Sequence, residues 1–313
     1  MVDRRPFVLV VNPRAGAGRA RARLPGLKAA FREAGATFET VLTRGPGHAT
    51  RLVREALSAG TAGVAVVGGD GTLNEAVNGF FTEGGEPSAP GAWLGTLPCG
   101  TGGDFRKTLG LTRDTGAMAT HMMWARPRPV DAGWLTFRDH QGRPASRAFI
   151  NIASFGMGGL VDRKVNASPK WMGGAAAFFV GSVRAMVEYK NRRVRITIDD
   201  DAPRDTDVVN VAVANGRFFG GGMQIAPEAK IDDGLFDVVG LEGMTRIQQA
   251  TMAPHLYRGS ILSYPGVTHR RARRVVAEAQ DWGGPVLLDV DGEAPGGLPA
   301  TFEIRPGAIQ LRG

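Results

Sequence analysis

The stretch VAVVGGDGTLNEAVNGF, residues 64–80, decides the fold. An apolar run, Val64–Val67, leads into three glycines set around Asp70, and a helix-forming segment follows. Short apolar runs of this kind read as parallel strands buried on both faces. The strand is expected to end at Val67. The helix is expected to begin at Thr72, because Thr72 and Glu75 have the Thr-x-x-Glu spacing of a capping box. Gly68, Gly69 and Gly71 lack Cβ atoms, so the backbone can turn sharply and a bulky anion can come close. The helix start adds unpaired N–H groups and a partial positive charge, both suited to phosphate. Asp70 would repel that phosphate unless a divalent cation lay between them or the carboxylate handled a proton.

Two more turns have the same character. VNPRAGAG (11–18) ends an apolar run in glycines, with Asn12 and Arg14 available for phosphate, and LPCGTGGDF (97–105) does so again. The runs FVLVVN (7–12), TFETVLT (37–43) and AWLGTLP (92–98) read as strands beside 64–67. Helical segments separate them. In residues 48–60, Ala49, Leu52, Val53, Ala56 and Leu57 share one face; the segment after residue 18 is expected to break near Pro25. Strand alternating with helix four times implies a parallel sheet with helices on its faces. The glycine turns would then gather at its carboxyl edge, where open α/β sheets bind ligands.

Beyond residue 128 the texture changes. RVRITID (193–199), DVVNVAVAN (207–215), LFDVVGL (235–241), PVLLDVDGE (285–293) and TFEIRP (301–306) read as strands separated by turns. This half is expected to be an antiparallel sandwich with one or two inserted helices. The fold class is therefore an α/β nucleotide-binding domain with a parallel sheet over residues 1–128, rejoined by 306–313, followed by a β-sandwich-like domain over 129–305. The apolar segment 171–189 is a helix packed on the sandwich, the wall of an acyl-chain pocket, or a membrane-facing surface.

Composition narrows the function classes. The 313 residues are 43% hydrophobic and 22% charged, ordinary for a globular chain, and the net charge is +8. That charge suits a polyanionic ligand or an anionic membrane, as does the HRRARR run (269–274). No zinc-finger, RNP or basic-helix signature points to nucleic acid. Cys99 is the single cysteine, which rules out an intramolecular disulfide and suits a reducing, cytoplasmic setting. The first residues have too short an apolar run for a signal peptide, and no run reaches membrane-spanning length. There is no Gly-Lys pair for a P-loop, no nucleophile elbow, no protein-kinase signature, and no metal spacing among the five histidines.

NPRAGAG, VVGGDGTLNEAVNG, LPCGTGGDF, DDGLFDV and VDGE occur in the order found in the diacylglycerol kinase catalytic-domain family, which the chain resembles from about residue 6 to residue 306. That family includes bacterial lipid kinases and sphingosine and ceramide kinases. The resemblance implies ATP-dependent phosphorylation of a lipid hydroxyl, such as that of diacylglycerol or a sphingoid or ceramide lipid. It implies ATP and Mg2+ as cofactors. Asn12, Gly16, Thr43, Gly68, Gly69, Asp70, Gly71, Thr72, Asn74 and Thr101 would contact ATP or its phosphates. Glu293 would be the general base, and Asp70 would orient the metal–ATP complex or help with the acceptor hydroxyl. Asp233, with the Lys230 and Leu235 carbonyls, would hold a second, structural Mg2+. The resemblance also allows peripheral contact with an anionic membrane at the inner face, and a homodimer, with no nucleic-acid partner. The family usually has Gly-Thr-x-Asn-Asp-Phe; here Gly103 stands where the asparagine would be. A NAD or sugar kinase of the same superfamily and a non-catalytic nucleotide- or lipid-binding homologue are the alternative readings. The motifs do not name the lipid.

Overall fold

In the computed structural model of the chain, four of the apolar runs become parallel strands: β1 (Phe7–Val11), β2 (Phe38–Leu42), β3 (Gly63–Gly68) and β4 (Trp93–Pro98). The structure describes residues 5–100, 102–112, 114–166, 189–280 and 284–313. Thr101, and the proposed 171–189 helix apart from Tyr189, lie outside the described residues. The chain divides into two compact units, Met1–Asp131 with Gly307–Gly313, and Ala132–Pro306.

In the first unit β1 lies between β2 and β3, and β4 pairs with β3, all parallel. β3 is buried along its whole length, which is why its sequence carries no polar alternation. Between the strands run α1 (Arg19–Glu33), α2 (His48–Ser58) and α3 (Asp70–Gly79). After β4 come α4 (Asp104–Thr108) and α5 (Thr115–Trp124). Phe7 anchors the core, with ring centroids 5.2 Å from Phe31, 5.5 Å from Phe38 and 5.1 Å from Trp93. The end of the chain adds a further parallel edge, with Gln310 opposite Trp93 and Leu311 opposite Leu94.

Two local expectations fail here. α1 runs straight through Pro25 instead of breaking there. The cost of a proline in a helix interior is met by burial of Ala20, Leu27 and Phe31 on the core side. α3 begins at Asp70, with Gly69 as N-cap, and not at Thr72. Thr72 and Glu75 form no capping box because their side chains are used elsewhere. The Thr72 hydroxyl accepts a hydrogen bond from Asn12 Nδ2 at 2.9 Å, and Glu75 Oε2 accepts the Ala49 N–H of α2 at 3.0 Å.

The second unit is antiparallel. β5 (Arg128–Asp139) enters it at Ala132 and pairs with β6 (Pro144–Phe149). β7 (Ile152–Gly156), α6 (Met157–Asn166), β8 (Arg192–Ile198) and β9 (Arg204–Ala214) follow. β9 pairs with β8 through its first half and with β7 through its second, so one long strand serves both parts of the sandwich. A small hairpin, β10 (Phe218–Phe219) with β11 (Met223–Gln224), precedes β12 (Phe236–Glu242) and α7 (Arg246–Arg258). β13 (Val267–Ala272) lies beside β12. β14 (Arg274–Ala279) pairs with β8 and with β16 (Gly296–Leu311), and β15 (Leu288–Val290) pairs with β7. The 301–306 run is thus the middle of a strand of 16 residues. Among the described residues no helix is long and apolar enough to cross a membrane.

Phe302 on β16 is fully buried at the centre of this unit, 6.5 Å from the Phe149 ring and 5.9 Å from that of Phe155. Phe302→Ala should cost about 3–5 kcal/mol, measured by urea unfolding. A loss below about 1 kcal/mol would show that the ring is not packed as described.

Candidate functional site

The glycine turns of the first unit meet. All follow parallel strands, so all open at the carboxyl edge of one sheet. The Asn12 N–H donates to Val67 O at 2.9 Å, and the Cys99 N–H to Gly68 O at 2.7 Å, so the exits of β1, β3 and β4 stay in step. The Thr43 N–H donates to Val11 O at 2.9 Å, which keeps the half-buried Thr43 at the same edge.

Two glycines are required by contact. Gly16 has φ +60°, and a Cβ there would lie 2.0 Å from the Cys99 carbonyl oxygen. A Cβ on Gly100 would lie 2.7 Å from the Gly69 Cα. The first turn therefore rests on the third, and the third on the second. Cys99 itself is buried, and burial pushes its thiol up against the opposing pull of Arg23 and Arg19.

Asp70 has a role that its own neighbourhood does not reveal. Its Oδ2 accepts the Gly103 N–H at 2.8 Å and the Asp104 N–H at 3.4 Å. The carboxylate caps α4 from another strand's turn, and these peptide N–H groups answer part of its charge. Gly103, the departure from the family pattern, has φ +67° and ψ +47° at that cap. Glycine enters this left-handed region without penalty.

What the edge presents is mostly backbone. Gly18 and Gly69, the N-caps of α1 and α3, receive no side-chain cap. α5 and α7, by contrast, are capped by Asp114 and Thr245. Asn12 folds its Oδ1 onto the Arg14 N–H at 3.0 Å, and Arg19 Nε holds Gly16 O at 2.9 Å. These bonds order the first turn and put Arg14 and Arg19 beside it. Asn74 and Thr72 belong to the interior instead. Asn74 is fully buried with its Oδ1 bonded to Asn78 Nδ2 at 3.2 Å, and the Thr72 hydroxyl is committed to Asn12. The sequence reading missed Gly100 and Arg19; the glycine after Cys99 was the available signal for the first.

Glu293 lies in the second unit, on a tight turn. Val290 and Glu293 exchange backbone hydrogen bonds of 2.8 and 3.1 Å, with Asp291 at φ +51° and Gly292 at φ +87°. Two positive φ values mark the hairpin turn that Asp-Gly favours. The buried Asp291 carboxylate accepts the N–H groups of Ile150, Asn151 and Ile152 at 3.0, 3.1 and 3.0 Å. Asp289 Oδ1 accepts the Gly292 N–H at 2.9 Å. So the turn is pinned at both aspartates, and Glu293 is the carboxylate left facing outward, with its side chain 41% exposed. Arg147 of β6 holds its Oε2 at 2.6 Å.

The loop expected to carry a second Mg2+ is arranged differently. Asp233 Oδ1 accepts the Leu235 N–H at 3.1 Å, and Oδ2 is ion-paired with Arg271. A divalent cation at Asp233, with the Lys230 and Leu235 carbonyls, would have to displace that guanidinium. These residues as arranged do not fit the ion; Arg271 supplies the positive charge instead. Among the described residues no three His, Cys, Asp or Glu side chains are grouped as metal ligands. Two more arginines of the basic run are likewise committed, with Arg270 paired to Asp201 at 2.7 Å and Arg274 to Glu303 at 3.5 Å.

Gly16→Ala tests the contact between the turns. It should cost about 1–3 kcal/mol of stability by pushing the first turn off Cys99, read by urea unfolding, and unchanged stability would show that the two turns do not touch.

Comparison with known proteins agrees with this two-part architecture. The family signature described as the diacylglycerol kinase catalytic domain matches residues 6–135. That of the YegS C-terminal NAD kinase beta sandwich-like domain matches residues 151–313. A Chromohalobacter salexigens protein named "Probable lipid kinase YegS-like" is 35% identical over 232 residues, 73% of this chain and 70% of that one. A Pseudomonas aeruginosa protein of the same name is 30% identical over 283 residues, covering 90% and 87%. The diacylglycerol kinase of Bacillus subtilis is 27% identical over 295 residues, covering 94% and 91%. A crystal structure of a diacylglycerol kinase from Bacillus anthracis shares the fold at a TM-score of 0.68 and 22% identity, covering 100% of this chain and 98% of that one. With both signatures in order and relatives matched over most of their length, the chain belongs to the YegS-like lipid kinase family, built on a diacylglycerol kinase catalytic domain and a sandwich-like second domain.

Proposed function

We propose that this protein transfers the γ-phosphoryl group of ATP, delivered as its Mg2+ complex, to the hydroxyl of a membrane lipid. The observation that carries the reading is the meeting of the glycine turns at one sheet edge, with Gly16 against Cys99 and Asp70 bridging to Gly103. Phosphoryl transfer asks little covalent chemistry of a protein and much positioning and charge neutralisation. The N–H groups at the start of α3, with Arg14 and Arg19 beside the first turn, supply both for a triphosphate. Asp70 holds the third turn in place.

Glu293 is the proposed base. The acceptor hydroxyl gives its proton to the carboxylate as its oxygen attacks the γ-phosphorus. The bond from that phosphorus to the bridging oxygen breaks, and ADP leaves with the metal. Arg147 orients the carboxylate, and the turn locked by Asp289 and Asp291 fixes its position. The Mg2+ in this scheme arrives as part of the substrate, and no step passes through the Asp233 loop. Because the acceptor resides in a lipid phase, peripheral contact with an anionic membrane at the cytoplasmic face belongs to the same proposal.

Glu293→Gln keeps the shape of the side chain and removes the base. Turnover should fall by about 10²–10⁴-fold while the Kd for ATP stays within twofold. The assay is labelled ATP with a total lipid extract, the new phospholipid being identified by mass. Wild-type turnover in the variant would remove Glu293 from the mechanism. Label appearing in NAD instead of lipid would overturn the acceptor class.

A further inference from the structure

The stretch around α7 is basic. Between Glu242 and Glu278 there is no acidic residue and no lysine, and the six arginines there carry +6. α7 lies within that region. Its inner face, Gln249, Met252 and Leu256, is buried, and the two apolar residues pack in a cluster with Ile225, Val239 and Ile261. Its outer face carries Ile247, Ala250, Pro254 and Tyr257, spaced three, four and three residues apart, so that they form one stripe. Of the four large hydrophobic side chains exposed among the described residues, two belong to this stripe, Ile247 at 77% and Tyr257 at 61%.

The stripe is held firmly. A complete capping box, Thr245 with Gln248, closes one end, and Gly259 at φ +70° closes the other. The Tyr264 hydroxyl donates to Gln248 O at 3.0 Å and bonds the Thr251 hydroxyl at 2.6 Å, which braces the helix against the following segment. Arg246 and Arg258 flank the stripe at its two ends.

We infer that the outer face of α7 is the surface by which this protein docks on an anionic phospholipid bilayer. Ile247 and Tyr257 enter the headgroup boundary, and Arg258 meets the lipid phosphates. A helix face with Ile247 and Tyr257 exposed, arginine at its borders and no carboxylate matches such an interface in charge and in its apolar tips. Tyrosine and arginine both place an apolar body in the boundary and a polar tip in water. The neighbouring 269–274 run is the weaker candidate, because Arg270, Arg271 and Arg274 already pair with Asp201, Asp233 and Glu303. The choice of a bilayer over an acidic protein surface rests on the lipid-kinase reading.

The test uses the full-length protein and its Ile247→Ser/Tyr257→Ser double variant. Vesicles are of phosphatidylcholine alone or phosphatidylcholine with phosphatidylglycerol. Wild type should co-sediment with the anionic vesicles and at least tenfold more weakly with the neutral ones. The double variant, with Tm within 2 °C of wild type because both side chains face solvent, should lose at least tenfold in anionic-vesicle binding. Its turnover on a short-chain lipid dispersed in water should stay within twofold. Variant binding equal to wild type would overturn the proposal. So would binding to an acidic polypeptide with none to vesicles. If wild type docks through α7 yet phosphorylates no lipid, the kinase reading falls and the docking face stands. If lipid is phosphorylated and the variant docks normally, the reverse holds.

Discussion

The Asp70 carboxylate, fixed at the start of α3, reaches across to the N–H groups of Gly103 and Asp104 at the start of α4. The carboxyl edge of the first unit depends on this bridge. A parallel sheet sets strand exits side by side, but it does not decide whether the turns beyond them touch. Here Asp70 ties the second turn to the third, Asn12 ties the first to Thr72 in the second, and Gly16 leans on the Cys99 carbonyl. A side chain at Gly16 or Gly100 would wedge the turns apart. The resulting edge sets fixed dipoles beside Arg14 and Arg19, which suits a ligand of dense negative charge.

The second unit solves a similar positioning problem with buried carboxylates. Asp291 spends its oxygens on three successive backbone N–H groups, and Asp289 takes a fourth from Gly292. Burying a carboxylate is costly unless its hydrogen bonds are made, and here they are made by peptides that cannot move away. The Asp-Val-Asp-Gly-Glu stretch thereby has two carboxylates that build the turn and one, Glu293, that the turn presents. A residue on such a support keeps its place through a reaction without paying for ordering at each turnover.

Much of this was legible in the sequence, for identifiable reasons. Buried parallel strands announce themselves as apolar runs, and β1 and β3 stand within a residue of the runs 7–12 and 64–67. The glycine turns are local features and were visible as such. What stayed hidden was the use of side chains across long separations. Thr72 and Glu75 have capping-box spacing, yet their partners are Asn12 and Ala49 in other elements. Pro25 has the local character of a breaker, yet Leu27 and Phe31 bury one face of the helix around it. The full length of β16 was masked by Gly297, Pro299, Pro306 and Gly307, residues that usually punctuate strands. Arg271 at Asp233, and Arg147 at Glu293, are pairings that no spacing rule supplies.

The most direct test of the central claim is backbone amide NMR of the protein titrated with Mg2+ and a non-hydrolysable ATP analogue. The claim predicts that the largest shifts fall together on the N–H groups of Ala15–Gly18, Gly69–Thr72 and Gly102–Gly103, saturating at one common affinity. Shifts confined to one of these turns, or to other parts of the chain while the turns stay unmoved, would contradict it.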